Sequence, residues 1–262
     1  MYVMTIDQRG STGDIDRVPG LLKGLSALST AGRFERSVGD EVQGVVERAD
    51  EVVEIALHAL RSGRWYVGIG VGEVDLPLPA SPREGSGPAF VAARSAVDRA
   101  KGAAAHVPLA VVAGRDRRRA NANAANTAAD GASGSQGARA CANAEAVLRL
   151  IGRLVQDRTA AQWKVVDVLR SVRNDTHGTH GSQKIAAQKL GITEQSVSRA
   201  VLRSGWQEEW AARPAAEMLL AFAHGVIAGN DDARGQPADR APDAGAPQRP
   251  DSSPRDSTEG DR

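Results

Sequence analysis

The sequence predicts an α/β sandwich followed by an all-α domain with a helix-turn-helix, and three observations predict it. Hydrophobic periodicity alternates between about 2 and about 3.6 residues from the start to Gly114. Further on, a helix-ending Gly191 and a helix-capping Thr193 stand between two short amphipathic segments. Between these parts Arg115 to Cys141 contains no Val, Ile, Leu, Met, Phe, Trp or Tyr. The expected division is therefore an α/β domain over 1–114, a low-complexity linker over 115–142, a helical domain over 143–226 and a disordered tail over 227–262.

In the first part, Tyr2 to Ile6 reads as a buried strand and Val18 to Leu28 as a helix with Leu21, Leu22, Leu25 and Leu28 on one stripe. Arg33 to Val38 and Val42 to Val46 read as short strands flanking a Gly39-Asp40-Glu41 turn. Asp50 to Leu60 is an amphipathic helix, Trp65 to Val74 a strand, Phe90 to Lys101 a helix and Val107 to Ala113 a last strand. The order β-α-β-β-α-β-α-β suits a mostly antiparallel sheet covered by helices, with the hairpin turn at one sheet end. Gly68, Gly70 and Gly72 fall inside a strand with no helix directly after them, so they are not read as a dinucleotide loop.

Composition bounds the class. A chain of 262 residues that is 41% hydrophobic has room for two cores, and with aromatics at 3% those cores must be built from Ala, Val, Leu and Ile. The single cysteine, Cys141, permits no internal disulfide, and its place in the low-complexity stretch makes an exposed spectator thiol the expectation. No apolar run is long enough to cross a membrane, so a bacterial-type cytoplasmic protein with no membrane partner is expected. His177 and His180, in a Gly-rich loop with no cysteine nearby, are not read as a zinc site.

In the helical part, Thr159 caps a first helix through Trp163, Val165, Val166, Val168 and Leu169. Ile185, Ala186 and Leu190 share a face of a second helix, Ala187 allows close packing, and Ile192 is expected to fill the space beneath the turn. Val197, Val201 and Leu202 should turn the third helix inward. Its other face, Gln195, Ser196, Ser198, Arg199 and Arg203, carries groups able to reach base edges and phosphates, with Thr193, Gln183 and Lys184 beside it. Trp163 to Arg203 holds seven Lys/Arg against three Asp/Glu, a net of +4 in a chain whose total is +1. Duplex DNA is the partner this pattern suits. The alternative is an ordinary helical hairpin with solvated polar faces.

Four blocks in the first part resemble class III nucleotide cyclase domains: Ile6 to Thr12, Ser37 to Glu41, Val67 to Val74 and Gly87 to Arg94. The Gly39-Asp40-Glu41 turn also resembles the signature turn of diguanylate cyclases. This layout followed by a helix-turn-helix is most similar to the SatD family, over residues 1–114 and about 145–223. The resemblance implies a cyclase-like, ferredoxin-like sandwich in which Asp7 and Asp40 are candidate ligands for Mg²⁺. It implies that Gly10, Ser11, Thr12, Arg36 and Arg94 are candidate nucleotide contacts. Where the cyclases carry an Asn four residues before the arginine, this chain has Phe90, which removes a ribose contact. Arg36 stands at the purine-selecting lysine, and Glu84 is the candidate for the acidic position. No catalytic residue is assigned, and the expectation is nucleotide binding without cyclisation, with a homodimer as a candidate state.

The functional expectation is a DNA-binding transcriptional regulator with a degenerate cyclase-like sensory or oligomerisation domain. A Mg²⁺-dependent nucleotidyl cyclase-type enzyme and a protein-interaction module of SatD type are the alternatives.

Overall fold

The computed structural model describes residues 1–28, 34–102, 106–114, 127–175 and 181–235, with the backbone alone for 127–135, 174–175 and 230–235. Five strands, β1 (Tyr2–Gln8), β2 (Phe34–Arg36), β3 (Glu41–Val46), β4 (Trp65–Val71) and β5 (Leu109–Ala113), form one sheet in the order β2-β3-β1-β4-β5. Only the β4/β5 pair is parallel. The helices between them are α1 (Val18–Ser26), α2 (Ala49–Leu60) and α3 (Pro88–Gly102). The chain is thus α/β, and its first half follows the order expected from periodicity.

Central β1 is buried along its whole length, and its two faces part company by period-two alternation. Tyr2, Met4 and Ile6 join Val42, Val67, Ile69, Leu109 and Val111 in the main core, beneath α1 and α2. Val3 faces the other way, toward Ala89, Phe90 and Ala93 of α3. On that face α3 lies directly on β4. A Cβ on Gly68 would come within 2.4 Å of the Val97 nitrogen, and one on Gly70 within 2.1 Å of the Ala89 oxygen. Backbone approach, rather than phosphate binding, is what these in-strand glycines permit.

The second half differs from the expected division. Helix α4 (Thr127–Gln156) begins within the segment expected to be a linker, and α8 (Trp206–Gly235) extends into the segment expected to be a tail. Ala140, Cys141, Ala144, Leu148 and Ile151 of α4, with Ala216, Leu220, Ala223 and Ile227 of α8, belong to the same core as the sheet. Within the segment expected to be a linker, only the small side chains of Ala140 and Cys141 make that contact, which is why composition suggested a linker. Fully buried Leu148 and Leu220 each contribute about 1.5–3 kcal/mol by leaving water. Cys141 is 1% exposed, not a surface thiol, and burial pushes it up to about 12.

Helices α5 (Ala160–Asp175), α6 (Ser182–Leu190) and α7 (Glu194–Ser204) lie between α4 and α8 in the chain and gather a smaller core of their own. Val165, Leu169, Ala186, Ala187, Val197 and Val201 form it. Residues 115–126, residues 176–180 with His177 and His180, and residues 236–262 lie outside the described residues.

Candidate functional site

Local chemistry builds the three-helix unit. Thr159 Oγ1 accepts from the Gln162 N–H at 3.3 Å while Gln162 Oε1 accepts from the Thr159 N–H at 2.8 Å, a reciprocal cap that starts α5. Helix α6 stops at Gly191, whose φ of 63° is the left-handed conformation that favours glycine, and the Ile192 N–H donates back to the Ala187 carbonyl at 3.1 Å. Thr193 then caps α7, its Oγ1 accepting from the Ser196 N–H at 3.2 Å. Val197 and Val201 point that helix into the small core.

The opposite side of α7 is free. Thr193, Gln195, Ser196, Arg199 and Arg203 are all exposed, and Ser198 is half-buried. Lys184 is exposed and Gln183 half-buried at the start of α6. None of Lys184, Lys189, Arg199 and Arg203 enters an ion pair among the described residues. Two apolar expectations are corrected: Ile192 is 40% exposed and Leu202 is 67% exposed, so neither belongs to the core. Position 202 lies three residues beyond Arg199 and one before Arg203, on the outer stripe, and the short turn closes without Ile192 beneath it.

Not all of the +4 charge is available. Arg170 is bound to Glu54 of α2, and Arg173 lies over the Trp210 ring with its guanidinium carbon 4.3 Å from the centroid. Asp167 pairs with Arg61 at 2.7 Å, and Arg61 also covers the Trp163 ring at 3.9 Å. These contacts tie the three helices to the sheet-bearing body.

The acidic end of the sheet is a second cluster. Asp7 stands opposite Glu41 in the β1/β3 register, next to the Gly39 turn at φ 61°. Its carboxylate is 2.8 Å from Lys101 Nζ of α3, and Glu41 is 3.3 Å from Arg94. Burial raises the Asp7 carboxyl, Asp40 and Asp98 add to the rise, and Lys101 opposes it without prevailing. Asp7 in turn holds the Lys101 ammonium up against the effect of its own burial.

A divalent cation here would compete with ion pairs already formed. The oxygen it would need on Asp7 already holds an ammonium group, and Glu41 is committed to Arg94. Among the described residues no group of three or more His, Cys, Asp or Glu is placed to hold a metal. Asp7 and Asp40, the two candidate Mg²⁺ ligands, are near enough for their charges to interact, and Lys101 meets the Asp7 carboxylate. Lys101 was the missing partner in the sequence reading. Its signal was present, because Arg94, Asp98 and Lys101 recur at helical spacing on one face of α3.

The nucleotide candidates do not converge either. Gly10, Ser11 and Thr12 are exposed near the start of the loop that runs from β1 to α1, whose first residue is Val18. Arg36 donates to the Gly39 carbonyl at 2.7 Å and pairs with Asp16 at 2.5 Å, bracing the hairpin against the loop before α1. Glu84 is exposed in a short 3-10 turn, and Asp16 is the carboxylate that Arg36 pairs with. Arg94 lines a cleft of about 560 Å³ together with Gln43, Arg83, Phe90, Ser95 and Asp98.

The chain matches no protein-family model, no curated protein and no solved structure. No helix among the described residues is long and apolar enough to cross a membrane.

Proposed function

We propose that the chain is a DNA-binding transcriptional regulator whose helix-turn-helix is α6 and α7. The observation that carries this reading is the outer face of α7, where Gln195, Ser196, Arg199 and Arg203 are exposed over a helix anchored by Val197 and Val201. Amide, hydroxyl and guanidinium groups on one stripe suit base edges, and exposed Leu202 suits a thymine methyl. Lys184 and Lys189 on the neighbouring helix are placed to position the phosphate backbone. In this reading the remainder is a degenerate cyclase-like domain, and the combination is of SatD type.

The α/β half then serves as a sensor or an oligomerising body rather than an enzyme. Its cleft offers Arg83 and Arg94 for phosphate, which favours a nucleotide held without metal. Cyclisation is not expected, because Phe90 cannot hydrogen-bond a ribose and Asp7 is neutralised by Lys101.

The test is a gel-shift of the full chain on duplex DNA from around its own gene, at low and at physiological salt. A retarded band that competitor DNA of unrelated sequence fails to displace is expected. Micromolar protein that retards no DNA at low salt overturns the reading.

A further inference from the structure

From Ala211 to Gly229 the outer face of α8 is apolar. Its exposed positions up to residue 222 are Ala211, Pro214, Ala215, Met218, Ala221 and Phe222, the three-and-four spacing of one helical stripe. Gly225 and Gly229 continue it. Met218 is 65% exposed and Phe222 54%. A surface helix ordinarily carries charge on this side. Here the charged residues of the segment are Arg213, buried and bound to Glu54 and Glu209, and half-buried Glu217.

Helix α4 widens the face. Its Leu154 lies against Gly205 and its Gly137 beside Ile227, so the two helices run antiparallel. That register sets Leu150, 70% exposed and one turn back from Leu154, beside the Ala211 end of the stripe.

No remaining segment of the chain brings a large apolar side chain to cover this face. Residues 29–33, 103–105, 115–126, 176–180 and 236–262, which lie outside the described residues, contain no Val, Ile, Leu, Met, Phe, Trp or Tyr. A lipid surface is a poor match as well. Helices that lie on membranes flank the apolar face with Lys or Arg, whereas 211–229 has no lysine and its one arginine is turned inward.

We propose that this face is the contact between two copies of the chain, crossed antiparallel about a two-fold axis at Met218. An isologous contact sets each residue near the axis against its own equivalent, so it disfavours charge there and needs large side chains to meet small ones. The stripe meets both conditions. With position 218 on the axis, Phe222 of one copy falls on Pro214 and Ala215 of the other, and Gly225 faces Ala211. The stripe is about 27 Å long and, with α4 alongside, about 20 Å wide, which makes about 500 Å² per copy. Two such faces cover about 1,000 Å², the lower end for a specific interface, so micromolar association is expected. The contact rests on α4 and α8 alone and needs neither the sheet cleft nor DNA, so its failure is distinguishable from that of the proposed function.

Sedimentation velocity of the full chain, from low micromolar to submillimolar concentration, should show a monomer of 27.4 kDa giving way to a dimer. Met218→Lys and Phe222→Lys each place a charge in the contact twice and should weaken the dimer about a hundredfold. Ile15→Lys, the same change at an exposed position away from α8, should leave it unchanged. Melting temperatures report whether each variant is folded. A short bis-maleimide should also join two Met218→Cys chains, because the axis brings the two positions together. The proposal is overturned if the chain stays monomeric throughout, if both folded lysine variants at 218 and 222 dimerise like the original, or if a dimerising Met218→Cys chain is not joined. A monomer that sediments with phosphatidylglycerol vesicles overturns it in favour of a lipid surface.

Discussion

Arg170 of α5 and Glu54 of α2, 116 residues apart in the chain, form an ion pair that fastens the three-helix unit to the sheet-bearing body. The other oxygen of Glu54 receives Arg213 of α8, which also binds Glu209, and Glu209 in turn meets Arg158 at 2.6 Å. Such a chain of alternating charges is costly to bury, and its use is to fix which faces meet rather than to add much net stability. A small helical unit whose seam is ionic has a defined orientation on its support.

Glu54→Gln is expected to leave two arginines facing each other across that seam. Full burial would put the loss at about 3–5 kcal/mol, and the partial exposure of Arg170 lowers it to about 2 kcal/mol. Burial works to raise the Glu54 carboxyl, and Arg213 and Arg170 outweigh it and hold the group below its ordinary 4.5. A depressed carboxylate contributes stability above its unfolded value and loses it as pH falls through the folded one. Urea titrations across acidic pH should therefore show the original chain losing stability below about 4.5, while Glu54→Gln loses less. Equal acid slopes in the two chains would dismiss the ion pair as the cause.

Cys141 is expected to resist thiol reagents in the native chain and to react on unfolding. Burial suppresses the thiolate that is the reactive form, and the surrounding Ala140, Ala144 and Tyr2 belong to the core. Labelling with a chromogenic disulfide reagent, with and without urea, measures this. Cys141→Ser, which buries a hydroxyl, should destabilise by about 1–3 kcal/mol, more than Cys141→Ala. Rapid native labelling would contradict the packing of α4 on the sheet.

How much was legible follows from how locally each feature is encoded. The strand and helix order of the first half rests on periodicity, and Gly191, Thr193 and Thr159 act within a turn of themselves, so all were readable before folding. Cys141 was not, because Ala140 and Ala144 carry no hydrophobic signal of their own. They become core through packing against α8 and the sheet, elements distant in the chain. The site divides the same way. The polar stripe of α7 is a property of one helix, whereas the fate of Asp7 depends on Lys101, which the fold brings across from α3.

Lys101→Met is expected to leave Asp7 buried beside Asp40 and Asp98 without its cation. Asp7 already has a raised carboxyl, so ionising it opposes folding, and removal of Lys101 strengthens that opposition. A raised carboxyl favours the folded state at low pH and loses that advantage as pH rises through the folded value. The variant should thus melt below the original chain at neutral pH and close to it at about pH 5. Magnesium should leave the original chain's melting temperature unchanged, because the ammonium holds the oxygen a metal would use. A clear Mg²⁺ shift that Asp7→Asn abolishes would restore the metal reading.

On DNA, Arg199→Ala and Lys184→Ala should fail differently. Arg199 stands mid-helix on the exposed stripe, so its loss should cost about 1–3 kcal/mol on the preferred sequence and little on others. Lys184, aimed at phosphate, should weaken every sequence alike and reduce the salt slope by about 1. Fluorescence anisotropy on two duplexes over a salt series separates them. Equal effects of both variants on both duplexes would mean that α7 does not read bases.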